Sequence, residues 1–134
     1  MYEFHGWFGI AENTEDHDAG TLDDGLRDLR ARVEALGWGG VPSAAASLDV
    51  HNGTHFLVVN GAPNRPAALG AELTELLEFV ARRFPGAWGL LYERSDDLEQ
   101  PPGLGAFRVR VMARGRLVTR LDPFLSPVNP VIED

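Results

Sequence analysis

The stretch Ala45-Ala-Ser-Leu-Asp-Val-His-Asn-Gly-Thr-His-Phe-Leu-Val-Val-Asn60 decides the fold of this chain. Two β-rich runs, 45–51 and 54–60, flank Asn52-Gly53, the strongest short-range signal for a two-residue hairpin. That turn pairs His51 with Thr54, Val50 with His55 and Leu48 with Leu57. It predicts Leu48, Val50, Leu57 and Val59 toward the core, with Phe56 and Val58 on the opposite face.

The flanking segments extend the pattern in both directions. Upstream, Leu22, Leu26, Leu29, Val33 and Leu36 recur at helical spacing and make one apolar stripe. Thr21 is a suitable N-cap, with Asp24 three residues on, and Gly37 a suitable stop. Further upstream, residues 2–10 alternate as a strand, with Tyr2, Phe4, Phe8 and Ile10 on one face and Glu3, His5 and Trp7 on the other. Downstream, Pro66 suits the first turn of a second helix, whose stripe is Leu69, Leu73, Leu76, Leu77, Val80 and Phe84. Pro85-Gly86 ends it.

Residues 87–94 read as a strand with Trp88, Leu90 and Tyr92 on one face. Residues 107–113 alternate with Phe107, Val109, Val111 and Ala113 inward and Arg108, Arg110 and Met112 outward. Arg114-Gly115 is a turn candidate before a last strand at 116–121. The order β-α-β-β-α-β-β, with a sixth strand possible, predicts an α+β fold. Two helices would pack on one face of a mostly antiparallel sheet of five or six strands. The first six elements fit the split βαβ arrangement of ferredoxin-like folds, and a plain meander is the alternative. The far face would hold His5, Trp7, Phe56 and Leu91, an apolar set for a solvated surface.

A chain of 134 residues with 44% hydrophobic residues is expected to form a single domain, 1–134, with a real core. With no cysteine, disulfides and thiolate metal sites are excluded. The sequence holds no apolar run of membrane-spanning length. Its N-terminus lacks a basic region followed by an apolar one, so a cytoplasmic protein is expected.

The net charge is −8, and residues 1–60 hold ten acids against three arginines. Such a balance disfavours direct nucleic-acid binding and suits a basic protein partner. The acids Glu12, Glu15, Asp16, Asp18, Asp23 and Asp24 cluster in sequence, and Asp96 and Asp97 lie in a second acidic loop. Together with Trp7 they are the candidate residues of a protein interface.

Chemistry is harder to find. His51 and His55 flank the turn but are expected on opposite faces, so they do not form a metal site. Asp16-x-Asp18 lacks the glycine and the bidentate glutamate of a calcium loop at the required places. His5 and Glu3 share a strand face, without a nucleophile or an orienting third group. No phosphate loop, dinucleotide fingerprint or nucleophile elbow is present. Neither a catalytic residue nor a cofactor is therefore expected. The arginines from 108 to 120 read as hairpin positions paired with acids of neighbouring strands.

The final segment, Arg120 to Asp134, carries prolines at 123, 127 and 130 together with Phe124, Leu125, Val128, Val131 and Ile132. It is extended yet too apolar for a polar tail, and is expected to pack on its own domain or a partner.

Several motifs occur in a characteristic order. They are Met1-Tyr-Glu-Phe-His-Gly-Trp7, Pro85-Gly-Ala-Trp-Gly-Leu-Leu-Tyr92 followed by Asp96-Asp97, and Phe107-Arg-Val-Arg-Val-Met-Ala-Arg-Gly-Arg116. Asp122-Pro-Phe-Leu-Ser-Pro127 and Ile132-Glu-Asp134 complete the set. Together they resemble the immunity protein 7 family of bacterial polymorphic toxin systems, essentially end to end. The resemblance implies a non-enzymatic protein that binds and neutralises the C-terminal effector domain of a cognate toxin. It implies no cofactor and a protein partner, with a monomer or homodimer when free. The alternatives are a small enzyme or ligand-binding domain using the sheet face around His5 and Trp7, and an assembly subunit burying that face in a homodimer.

Overall fold

The computed structural model describes residues 2–12, 19–36, 38, 44–64, 67–95 and 106–122. Pro66, Gly37, the Asp16-x-Asp18 stretch and the tail 123–134, each singled out above, lie outside the described residues.

Among the described residues there are six strands and two helices. They run β1 (Tyr2–Ile10), α1 (Ala19–Ala35), β2 (Ala44–His51), β3 (Thr54–Gly61), α2 (Ala67–Arg83), β4 (Trp88–Ser95), β5 (Arg108–Ala113) and β6 (Arg116–Leu121). The sheet order is β2-β3-β1-β4-β5-β6, antiparallel throughout. The first six elements thus adopt the split βαβ arrangement rather than a plain meander. The β5–β6 hairpin extends the sheet beyond β4. The α+β class expected from the sequence is the one observed. No described helix is long and apolar enough to cross a membrane.

Turn chemistry fixes both hairpins. Asn52 and Gly53 have φ of 52° and 80°, and Arg114 and Gly115 have 53° and 76°. Positive φ at both central residues matches the strand twist, and asparagine and glycine adopt it at least cost. The first turn gives the expected pairs His51–Thr54, Val50–His55 and Leu48–Leu57.

Both helical stripes face one side of the sheet. Leu26 and Leu29 of α1 and Leu73, Leu76, Leu77 and Val80 of α2 pack against Phe4, Phe8, Leu57, Val59 and Leu91 in one core. Trp38 closes the core beside Phe4, at 5.7 Å between ring centroids, and its Nε1 donates to Glu72 Oε2 at 2.8 Å. Each fully buried large apolar side chain contributes on the order of 1.5–3 kcal/mol.

Four expectations need correction. Helix α1 begins at Ala19, so Thr21 lies inside it, and Asp23 and Asp24 fall beyond its first turn. Val50 is 55% exposed, because the hairpin end carries it beyond the helices. Leu91 faces the helices and is fully buried, while Trp88, Leu90 and Tyr92 lie on the outer face. Strand β5 is reversed likewise: Arg110 and Met112 are buried on the helix side, and Val109, itself only 6% exposed, and Val111 lie on the outer side.

Register explains both reversals. Phe4 pairs with Glu93 and Phe8 with Gly89, so β4 residues of that parity share the face of the core phenylalanines. Glu93 in turn pairs with Arg108, and Leu91 with Arg110. The charges this buries neutralise one another. Glu93, 1% exposed, accepts from the Tyr2 hydroxyl at 2.6 Å, from Arg108 Nε at 2.7 Å and from Arg110 Nη2 at 3.1 Å. Arg110 Nη1 also donates to Thr74 Oγ1 of α2 at 3.0 Å. The expected pairing of these two arginines with an acid of the neighbouring strand is therefore present, but inside. Burial, then the charge of Glu93 and the hydrogen bond to it, push the Tyr2 hydroxyl far above tyrosine's ordinary range.

Candidate functional site

Both helices lie on one side of the sheet, and no described element covers the other side, where Trp7 and Trp88 are exposed. Side chains there follow from strand pairing, since directly opposed residues share a face. One row crosses the sheet as Ser47, Val58, Trp7, Leu90, Val111 and Val118. A neighbouring row opposes Asp49, Phe56, Gly9 and Trp88.

The aromatic residues of these rows are organised around one glycine. A Cβ on Gly9 would lie 2.5 Å from Cε2 and 2.7 Å from Nε1 of Trp88, so the indole occupies the space that a side chain would take. Lying there, Trp88 reaches Phe56 of β3, with centroids 6.0 Å apart and rings at 89°. His51 of β2 stands on the other flank of Phe56 at 5.9 Å. Despite these contacts Trp88 remains 49% exposed and Trp7 42%.

A polar chain runs along the other end of the same face. His5 Nδ1 lies 2.5 Å from Asn60 Oδ1 and Nε2 lies 2.7 Å from Glu3 Oε2. Arg94 Nε donates to Glu3 Oε1 at 2.7 Å, and its guanidinium lies 5.5 Å from the Phe107 ring centroid. Partial burial pushes Glu3 up, but the hydrogen bonds from His5 and Arg94 and the arginine charge outweigh it. The net effect holds its carboxyl below the ordinary glutamate value. Both nitrogens of His5 thus face protein oxygens.

Of the residues expected at an interface, Trp7 lies centrally on this face. Asp23 and Asp24 are exposed on α1, in the helical layer, with Asp24 3.3 Å from Arg27. Glu12 follows β1, where its carbonyl accepts from Gly86 N at 3.3 Å and its Oε2 is buried without a hydrogen-bond partner. Glu15, Asp16, Asp18, Asp96 and Asp97 lie outside the described residues. Trp7 and the α1 acids therefore belong to different layers. Phe56 lies on this face as expected, whereas Trp88 and Gly9 are the residues that sequence reasoning did not place here. The apolar alternation of β4 carries the signal for Trp88, but that pattern suits a core face equally well.

No group of three metal-ligating side chains occurs among the described residues. His51 lies beside Phe56, while His55 pairs with Val50 on the helix-side parity, so the two turn histidines do point to opposite faces. A cavity of about 260 Å³ opens between the helices, lined by Arg32, Ala35, Leu36, Glu72, Glu75 and Leu76. It is separated from His5 and Trp7 by the sheet.

A family model described as Immunity protein 7 matches residues 1–134 of the chain. No curated protein and no solved structure matches it.

Proposed function

The chain belongs to the Immunity protein 7 family, and from that membership we propose that it binds and neutralises the C-terminal effector domain of a cognate bacterial polymorphic toxin. It does so in the cytoplasm of the producing cell, through protein–protein contact and without catalysis. The observation that carries this reading, beside the family, is the pair of half-exposed tryptophans held on an open sheet face. Singly exposed apolar side chains are ordinary, but two tryptophans in adjoining rows of one face form a patch, and tryptophan is among the residue types most enriched at interface hot spots.

The His5 ring, engaged from both sides, supports binding over chemistry, because neither nitrogen is left for a substrate proton. The acids Glu12, Glu15, Asp16, Asp18, Asp23 and Asp24, with Asp96 and Asp97, are proposed to steer a basic region of the toxin toward the protein.

The test is co-expression with the C-terminal domain of the toxin encoded beside this gene. The two chains should co-purify at a fixed ratio, and the protein should restore growth to cells expressing that domain. Reversing Glu12, Glu15, Asp16 and Asp18 to arginine should slow association at low salt. A chain that neither co-purifies nor protects would end this reading.

A further inference from the structure

The outer face has a polarity that the net charge of −8 conceals. Its β4, β5 and β6 positions hold no carboxylate. Arg94 is paired with Glu3 across the boundary to β1. Arg116 and Arg120, exposed and opposite Ala113 and Val109, have no ion-pair partner among the described residues. Among the described residues, an acidic protein thus presents an apolar half-face whose unpaired charges are positive.

We propose that this half-face is the docking surface, that Trp88 seated on Gly9 is its anchor, and that it fits a protein surface apolar at its centre and acidic opposite Arg116 and Arg120. The proposal rests on the toxin-binding reading above and specifies the chemistry of the partner. Three features support it together. Trp88 is fixed before binding by the Gly9 notch and the edge of Phe56, so little side-chain freedom remains to be lost on association. Trp7, in the adjoining row, lies between Val58 and Leu90 and extends the apolar centre. The two arginines at one side give the patch a direction, which an apolar surface alone lacks.

Nucleic acid fits this surface less well. Aromatic side chains on a sheet of this topology can stack unpaired bases. Yet two arginines neutralise only about two phosphates, and the field of the whole molecule repels a polyanion.

The experiment measures binding of the full chain to the effector domain of the adjacent toxin gene, inactivated in its own catalytic residue, by stopped-flow and calorimetry at two salt concentrations. Trp88→Ala should weaken binding on the order of 30-fold or more. Gly9→Ala should weaken it about tenfold by lifting the indole, with a shifted tryptophan emission and a nearly unchanged melting temperature. Arg116→Glu with Arg120→Glu should slow association several-fold at low salt, less at high salt.

Wild-type affinity in all three variants overturns the docking surface while leaving toxin binding intact. Faster association of the arginine reversal overturns the acidic-partner assignment. A wild-type chain that fails to bind the domain takes both readings down. A free chain that sediments as a dimer dissociated by Trp88→Arg, or one whose fluorescence is quenched by a short oligouridylate, assigns the face to another occupant and overturns the proposal.

Discussion

Replacing Glu93 by glutamine removes one negative charge and almost no volume from the most buried polar cluster described. The side chains of Glu93 and Arg110 are 2% and 9% exposed, and Arg110 Nε lies 2.9 Å from Glu93 Oε1. Unit charges about 4 Å apart attract by roughly 4 kcal/mol at an effective dielectric near 20. The amide keeps an acceptor for Tyr2 but leaves Arg110 without a counter-charge in a site that water reaches poorly. Arg108, with 23% of its side chain exposed, recovers much of its loss through solvent. Breaking such a buried pair from one side costs about 3–5 kcal/mol. Over 134 residues, an unfolding entropy near 2.1 cal/mol/K per residue converts 4 kcal/mol into a melting-temperature drop of roughly 14 °C. In urea the midpoint should fall by about 2 M if the slope is about 2 kcal/mol/M. Circular dichroism melts and urea titrations followed by Trp38 emission measure both. A companion variant, Glu93→Met with Arg110→Met, should lie much nearer wild type, because no unpaired charge remains between those two positions. A Glu93→Gln melting temperature within about 3 °C of wild type would refute the assignment of a tightly coupled buried pair.

Three further outcomes follow from the same packing. Because the folded Tyr2 hydroxyl holds its proton above tyrosine's ordinary pKa of 10.0, the unfolded chain releases that proton first as pH rises. Stability should therefore be full below pH 10 and decline above it, and Tyr2→Phe should flatten that alkaline limb in melts recorded from pH 8 upward. Gly89→Ala places a Cβ 2.1 Å from the Trp7 carbonyl oxygen and 2.7 Å from Phe8 Cα. Backbone on both sides cannot yield, so chemical denaturation should report a loss of about 3 kcal/mol or more, against less than about 1 for Gly9→Ala, where only an indole moves. Leu77→Ala, at a fully buried position of α2, should cost about 2–5 kcal/mol in the same assay.

Local chemistry made much of this architecture readable. The Asn52-Gly53 turn, the two leucine stripes and the alternation of β1 each depend on residues close in sequence, and each formed the element it indicated. The facing of β4 and β5 did not follow, because β4 carries apolar residues at both parities and β5, which alternates, turns its arginine-bearing face inward. Leu90 and Leu91 are equally suited to a core. What decides between them is the pairing of β4 with β1, and the cancellation of Glu93 by Arg110, 17 residues away. Neither leaves a local trace. The site inherits that ambiguity. Trp7 was legible because β1 has one plainly apolar face and one mixed face. Trp88 was hidden because a tryptophan in an apolar alternation resembles core until its register is known. Gly9 carried no signal at all: its role is a space that another strand fills. The sequence clustering of acids around Asp23 says nothing about layers, and the fold separates these α1 acids from Trp7.

The central position of β1 also sets a timetable for synthesis. Strand β1 is made before both of its neighbours, β3 and β4, with Phe4 paired to Gly61 on one side and Tyr2 to Ser95 on the other. Both ladders join residues far apart in the chain, a topology that folds slowly. At about 5–20 residues per second, a ribosome needs roughly 4–17 s after finishing β1 to supply its second neighbour. During that interval Phe4, Phe8 and Ile10 have no completed sheet around them. The fully paired sheet therefore lags behind translation, and binding by any face that spans β1 and β4 begins only once β4 has been made.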